Sequence, residues 1–222
     1  MDYNYIFRSA KIKSDALEAA GFAATDGATY TMSPPVSGGA FRADITLSLA
    51  DQTLAVHLFD AATGEKYVLF DMPSAHGAFV ASLRNEVQKI VDEIRTKCFE
   101  SKDLKDDYIA WIKTQFGAVP DFPWPDTPDY CVFRCPNDKW FALVMKIKYR
   151  QLGLTGDEEL QVVNLKADQA EIPNIVDHTS IFPAWHMNKK HWITVLLTAV
   201  TDFEKLCGFT QKSYELVAKT KK

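Results

Sequence analysis

The fold class this chain predicts is α+β, built as two small domains, 1–100 and 101–222, each an antiparallel sheet packed by helices. Three observations lead there. Short apolar–polar alternations of period two are bounded by turn residues, which is the mark of half-buried antiparallel strands. Longer runs carry apolar residues at steps of three and four, which is the mark of helices with one buried face. The whole pattern resets around Glu100-Ser101-Lys102, and 222 residues suffice for two cores of ordinary domain size.

In the first half SDALEAAGF reads as a short helix stopped by Gly21. Strands follow at ATYTMS, at AFRADITLSLA after the turn SGG, at TLAVHLFD, and at YVLFDM behind the turn ATGEK. Along AFRADITLSLA the residues Phe41, Ala43, Ile45, Leu47 and Leu49 share one face, as the pleat requires. Pro73-Ser74 then opens a long helix whose apolar stripe is Phe79, Leu83, Val87, Ile90, Ile94 and Cys98.

The second half begins with a helix carrying Leu104, Tyr108, Ile112 and Phe116 and ending at Gly117. VPDFPWPDTPD holds four prolines in eleven residues, too many for a helix or a central strand, and reads as a connector pinned to the core by Phe122 and Trp124. Strands are predicted at YCVFRC, at WFALVMKIKYR after PND, at ELQVVNLKA after the loop LGLTGDE, and at WITVLLT. A short helix at DQAEIPNIVD precedes the last strand. The final helix opens on Thr201-Asp202-Phe203-Glu204, a capping-box pattern with Thr201 and Glu204 as the capping side chains.

Composition excludes several classes. With 47% hydrophobic and 24% charged residues the chain is ordinary globular material. No apolar run reaches the roughly 18–20 residues of a membrane span, and MDYNYIFRSAKIKSD lacks a signal-peptide core, so a cytoplasmic monomer is the expectation. Cys98, Cys131, Cys135 and Cys207 form no CxxC pair and read as reduced thiols. The net charge of −4 argues against a generic nucleic-acid coat. The acidity is concentrated in residues 1–100, so any anion-binding surface belongs to the second half.

Two stretches carry candidate chemistry. Alternation along WFALVMKIKYR puts Phe141, Leu143, Met145, Ile147 and Tyr149 on one face. Trp140, Ala142, Val144, Lys146, Lys148 and Arg150 fall on the other, which ends in three cations. Arg134, Lys166, Lys189 and Lys190 join this set if the strands pair in chain order. It reads either as a solvated strand face or as an anion-binding patch.

FPAWHMNKKHWITV is the second stretch. His186 and His191 are five apart, a spacing that does not place both rings on one helix face, and no HExxH or cysteine pair accompanies them. They read as loop-packing side chains, with a site shared with Asp177 and His178 as the alternative. No metal or cofactor is expected. No GxSxG elbow, phosphate loop or singled-out carboxylate pair marks a catalytic set.

Taken together, FPWPDTPDYCVFRCPNDKWFALVMKI, VVNLKAD, PAWHMNKKHWITV and SYELV resemble the MmcQ/YjbR family over about residues 100–222. Lys139, Phe141, Ala142, Lys166, Pro183, His186, Met187, Asn188, Lys189, Lys190, His191, Trp192, Ser213 and Tyr214 stand in the expected order. The first half resembles the extra N-terminal domain of longer members. Thr198-Ala199 replaces the Asp-Gly that many members carry. The resemblance implies a fold of the secretion-chaperone-like group and DNA binding through two β wings.

In the motif, Pro183 is expected to set the turn and Trp185 and Trp192 to anchor it. His186 and His191 are expected to tie down its backbone beside Asn188, leaving Lys189 and Lys190 to solvent. The leading expectation is a non-enzymatic protein that binds double-stranded DNA weakly through Arg134, Lys146, Lys148, Arg150, Lys166, Lys189 and Lys190. The alternatives are a protein-binding adaptor and a small-molecule enzyme using His186 or His191 with Asp177.

Overall fold

In the computed structural model, residues 1, 3–154 and 158–219 are described; they form two compact units, Met1–Phe7 with Lys11–Glu100, and Arg8–Ala10 with Ser101–Lys222. Thr155, Gly156 and Asp157 of the expected loop LGLTGDE lie outside the described residues.

In the N-terminal unit, alternation becomes an antiparallel sheet centred on its longest strand. The strands are β1 (Ala23–Ala24), β2 (Thr29–Met32), β3 (Pro35–Val36), β4 (Phe41–Ser48) and β5 (Thr53–Asp60). β5 pairs with the whole of β4, while β2 and β3 share its other edge, and β1 continues from β2. Register brings Ala43, Ile45 and Leu47 opposite Leu58, Val56 and Leu54, all fully buried. Helix α1 (Ala78–Cys98) starts at Gly77, a turn later than the Pro73-Ser74 signal. Its buried stripe is Val80, Leu83, Val87, Val91, Ile94 and Cys98. Phe79 is instead 53% exposed, packed edge-on against Tyr67 and tilted against Phe41.

Two expectations for this unit are corrected. YVLFDM is not a strand: Val68–Asp71 makes a helical turn. Its β-branched and aromatic content suggested a strand, but a tertiary partner decides otherwise. The Arg84 guanidinium donates to the carbonyls of Leu69, Phe70, Met72 and Ala75, and so satisfies groups that a strand would have paired in a sheet. SDALEAAGF shortens to a 3-10 turn at Ser14–Ala16 followed by turns, with Gly21 at φ 101°.

The C-terminal unit is a five-stranded antiparallel sheet of β6 (Cys131–Arg134), β7 (Trp140–Lys148), β8 (Glu159–Lys166), β9 (Ile181–Pro183) and β10 (Trp192–Leu196), in the order β9-β10-β8-β7-β6. Helices α2 (Lys105–Phe116) and α3 (Phe203–Ala218) lie on one face. Tyr108 and Ile112 of α2 and Leu206 and Val217 of α3 pack with Phe133, Val144, Val163, Leu165, Ile193 and Val195 in a single core. Gly117 ends α2 at φ 63°, a left-handed cap suited to glycine.

Several details depart from expectation here. Pro183 sits in an additional edge strand, where its missing N–H costs no ladder bond. Asp202, not Thr201, caps α3 by accepting from Glu204 N–H and Lys205 N–H. The Thr201 hydroxyl is taken up by the Leu196 carbonyl. In the connector Phe122 is 54% exposed, whereas Trp124 packs edge-on against Trp140 at 5.5 Å.

The predicted faces of β7 also change, because the pairing slips by one residue: Phe133 opposes Ala142 while Arg134 opposes Trp140. Phe141 is the extra residue of a β-bulge, and the bulge reverses the alternation before it. Phe141 therefore joins Ala142 and Val144 in the helix-side core, and Trp140 shares the opposite side with Leu143 and Met145.

Candidate functional site

On the sheet face away from the helices, the strands meet the motif turn through two buried polar side chains. Asn164 and Thr194 are cross-strand partners on β8 and β10, both fully buried. Thr194 Oγ1 donates to Asn164 Oδ1 at 2.5 Å and accepts from Trp185 N–H at 2.9 Å. Asn164 Nδ2 donates to the Trp185 carbonyl at 2.6 Å. Two polar groups that would be costly to bury alone are thus satisfied by both backbone groups of one residue. Trp185 is clamped to the sheet, and His186, next in the chain, is held at φ 60°, a left-handed conformation uncommon outside glycine.

The two residues after the clamped Trp185 line a cleft of about 330 Å³. His186 and Met187 come from the turn, Trp140, Leu143 and Met145 from β7, and Trp124 and Thr127 from the proline-rich connector, while Tyr130 lies between that connector and β6. The Tyr130 hydroxyl donates to the Lys146 carbonyl at 2.6 Å, tying the connector to the strand. Arg134 stands over the Trp140 ring at 5.5 Å. The cleft is thus built of aromatic faces and thioethers, with an exposed imidazole among its walls.

The remaining motif residues divide between packing and solvent. Asn188 closes the turn, its side chain accepting from Lys190 N–H and its carbonyl from His191 N–H. His186 and His191 are both exposed, and neither ring makes a hydrogen bond to loop backbone among the described residues, so the expected tie-down belongs to Asn164, Thr194 and Asn188. Trp192 is half-buried, at the end of β10 opposite Lys166. Ser213 is fully buried; it accepts from Lys166 N–H and donates to the Phe141 carbonyl, bridging β8 and β7 just beyond their last pair, Leu165 with Ala142. Tyr214 stacks on Phe116 at 4.6 Å. Lys139 is exposed in the hairpin turn, which Asn137 pins to the Val217 carbonyl.

Antiparallel register splits the seven expected cations. Lys146 and Lys148 lie at the Glu159 end of the sheet, while Arg134 and Lys166 lie at the Trp140 end. Arg150 leaves the strand in the 3-10 turn Tyr149–Leu152. Lys146 pairs with Glu159 at 2.7 Å, a hydrogen-bonded ion pair that raises the lysine pKa and lowers that of the glutamate. Arg134 pairs with Asp121 at 2.9 Å and Asp138 at 3.4 Å. Lys166 borders a small hollow with Asp168, Glu171, Lys212 and Glu215. Lys189 and Lys190 are exposed and make no ion pair among the described residues.

Asp177 is committed to its own loop. Its carboxylate accepts from the N–H groups of Thr179, Ser180 and Ile181 and from the Ser180 hydroxyl. Burial pushes its pKa up, but these hydrogen bonds outweigh burial and hold it below the ordinary value. Among the described residues no three His, Cys, Asp or Glu side chains gather as a metal-binding group, and no helix is long and apolar enough to cross a membrane.

A family model described as YjbR matches residues 114–216. The uncharacterised protein YyaQ of Bacillus subtilis (strain 168) is 30% identical over 113 residues, which are 50% of this chain and 96% of that protein. The chain belongs to the YjbR family. The uncharacterised protein YbdF of Escherichia coli O157:H7 is 36% identical over 73 residues, 32% of this chain and 51% of its own length. Among solved structures, a Pseudomonas syringae protein is 36% identical with a TM-score of 0.49, covering 51% of this chain and 97% of its own. Deinococcus radiodurans DR2400 is 27% identical with a TM-score of 0.41, covering 53% and 80%. The YjbR match takes in the connector, the clamp, the cleft and the Ser213 bridge described above.

The cleft and the clamp were missed by sequence reasoning. Asn164 inside VVNLK and Thr194 inside WITVL were the available signal, since a polar residue in the middle of a buried strand needs a partner. For the connector the signal was its aromatic content, assigned above to the core.

Proposed function

We propose that this chain is a binding protein, not an enzyme, and that its C-terminal unit engages DNA through phosphate contacts centred on Lys189 and Lys190. The observation that carries the reading is that these two lysines are exposed on a turn held by hydrogen bonds and have no carboxylate partner among the described residues. Arg134 and Lys146, by contrast, are already neutralised by ion pairs and contribute less. Catalysis finds no support in the geometry: Asp177 is consumed by its loop, and among the described residues no carboxylate orients His186 or His191. The overall charge of −4 makes the binding weak, in the micromolar range or worse at physiological salt.

Fluorescence anisotropy of labelled DNA, titrated with salt, tests the reading. Replacing Lys189 and Lys190 with Ala is expected to weaken binding about equally across unrelated sequences. It should also flatten the dependence of log affinity on log salt by roughly 0.9 per lost contact on duplex DNA. Absence of DNA binding by the native protein even at low salt overturns it. A protein-binding adaptor is the second reading, favoured by the exposed Val68, Leu69, Met72 and Phe79 of the N-terminal unit.

A further inference from the structure

Resting on that reading, we propose that the cleft takes a single unstacked nucleobase, so that the nucleic acid this protein prefers is unpaired. The walls are the first reason. Trp124, Tyr130 and Trp140 offer aromatic faces and edges, His186 an imidazole, and Met145 and Met187 polarizable sulfur. Such walls suit a flat ring, because every base has a π face that stacks on aromatic side chains irrespective of its identity.

Size and construction agree. A cleft of about 330 Å³ accommodates one base with part of its sugar. In a duplex the ring faces are covered by their neighbours, and reaching one requires extruding it from the stack. The walls are also held in place: the clamp on Trp185 sets His186 at φ 60°, and the Tyr130 hydroxyl bond fixes the connector side. Two buried polar side chains serve to place a turn whose next two residues, His186 and Met187, face the cleft.

Charge supplies the other half of a nucleotide. Lys189 follows Met187 by two residues, so their Cα atoms are at most about 7.6 Å apart. A phosphate attached to a ring in the cleft therefore lies within reach of a flexible ammonium. Arg134 braces the Trp140 ring from its own side, held there by Asp121.

The test uses the full chain and three probes: a labelled 15-nucleotide single strand, the same sequence as a duplex, and free dTMP. The expected result is at least about tenfold tighter binding of the single strand than of the duplex. Trp140→Ala should abolish that preference and Trp140→Phe, which keeps a ring, should retain most of it. The methyl NMR signal of Met187 should shift on adding the single strand. If dTMP shifts the same signal but the strand binds no tighter than dTMP, the cleft takes a base from free nucleotides, and the DNA reading falls while the cleft assignment stands. Equal affinity for single strand and duplex, unchanged by Trp140→Ala, overturns the inference and leaves the DNA reading in place. Binding of none of the three overturns both.

Discussion

The Ser213 hydroxyl donates to the Phe141 carbonyl at 2.5 Å, fastening the last helix to the bulged residue of β7. The same oxygen accepts from Lys166 N–H at 2.8 Å, so one buried side chain satisfies a donor and an acceptor on adjacent strands. Ser213→Ala leaves both without a partner. A loss of about 1–3 kcal/mol in urea denaturation is expected, the usual penalty for orphaned buried polar groups.

Asn164→Leu keeps the branched shape but removes the bond to the Trp185 carbonyl and the acceptor of the Thr194 hydroxyl, leaving Thr194 alone to hold Trp185. Destabilisation of about 1–3 kcal/mol and faster hydrogen exchange at the Trp185 amide are expected. Adding Thr194→Val should cost less than the sum of the two single changes, because the residues form one network. Strict additivity would mean that the clamp does not act as a unit.

Phe141→Ala should cost about 3–5 kcal/mol, the range for a fully buried aromatic ring. Trp192→Ala should cost clearly less, since the ring is half-buried at a strand end. Thermal or chemical denaturation of the two variants side by side checks the order.

The lowered pKa of Asp177 sets a pH dependence with a definite sign. Its folded value lies below its unfolded value, so its contribution is present above the unfolded pKa and disappears as pH falls through the folded one. The stability gap between wild type and Asp177→Asn should therefore shrink between about pH 5 and pH 2. A gap that widens on acidification would show that the carboxylate is not the stabilised form.

Burial pushes the thiols of Cys131 and Cys207 up to about 11, with Glu204 adding to the effect at Cys207. Burial also raises Cys98 and Cys135. Since the thiolate is the reactive form, a thiol-specific disulfide reagent at neutral pH should modify the native protein far more slowly than the denatured chain. Rapid modification of one thiol would identify an opening that this packing does not provide.

Much of the secondary structure was legible from local pattern. Alternation in FRADITLS, ending after Ser48, and in the early part of CVFRC depends on which face each residue turns to the core, and that is a two-residue property of the strand itself. The helix stop at Gly117 is similarly local, because only the φ of that residue decides it. The motif stretch and its pair of exposed lysines were likewise visible in the chain.

What only the tertiary structure decided were the features that depend on a partner distant in sequence. The bulge at Phe141 reverses the alternation of its strand, and its carbonyl is satisfied from a helix 72 residues away. Arg84 turns YVLFDM from strand into helical turn by supplying carbonyl partners from α1. The aromatic cleft gathers Trp124, Trp140 and His186 from three separate segments, and Asn164 and Thr194 face each other only because of the register of β8 and β10. Periodicity records which side of an element is buried. It does not record what stands opposite, and a hydrogen bond or a cleft wall is defined by what stands opposite.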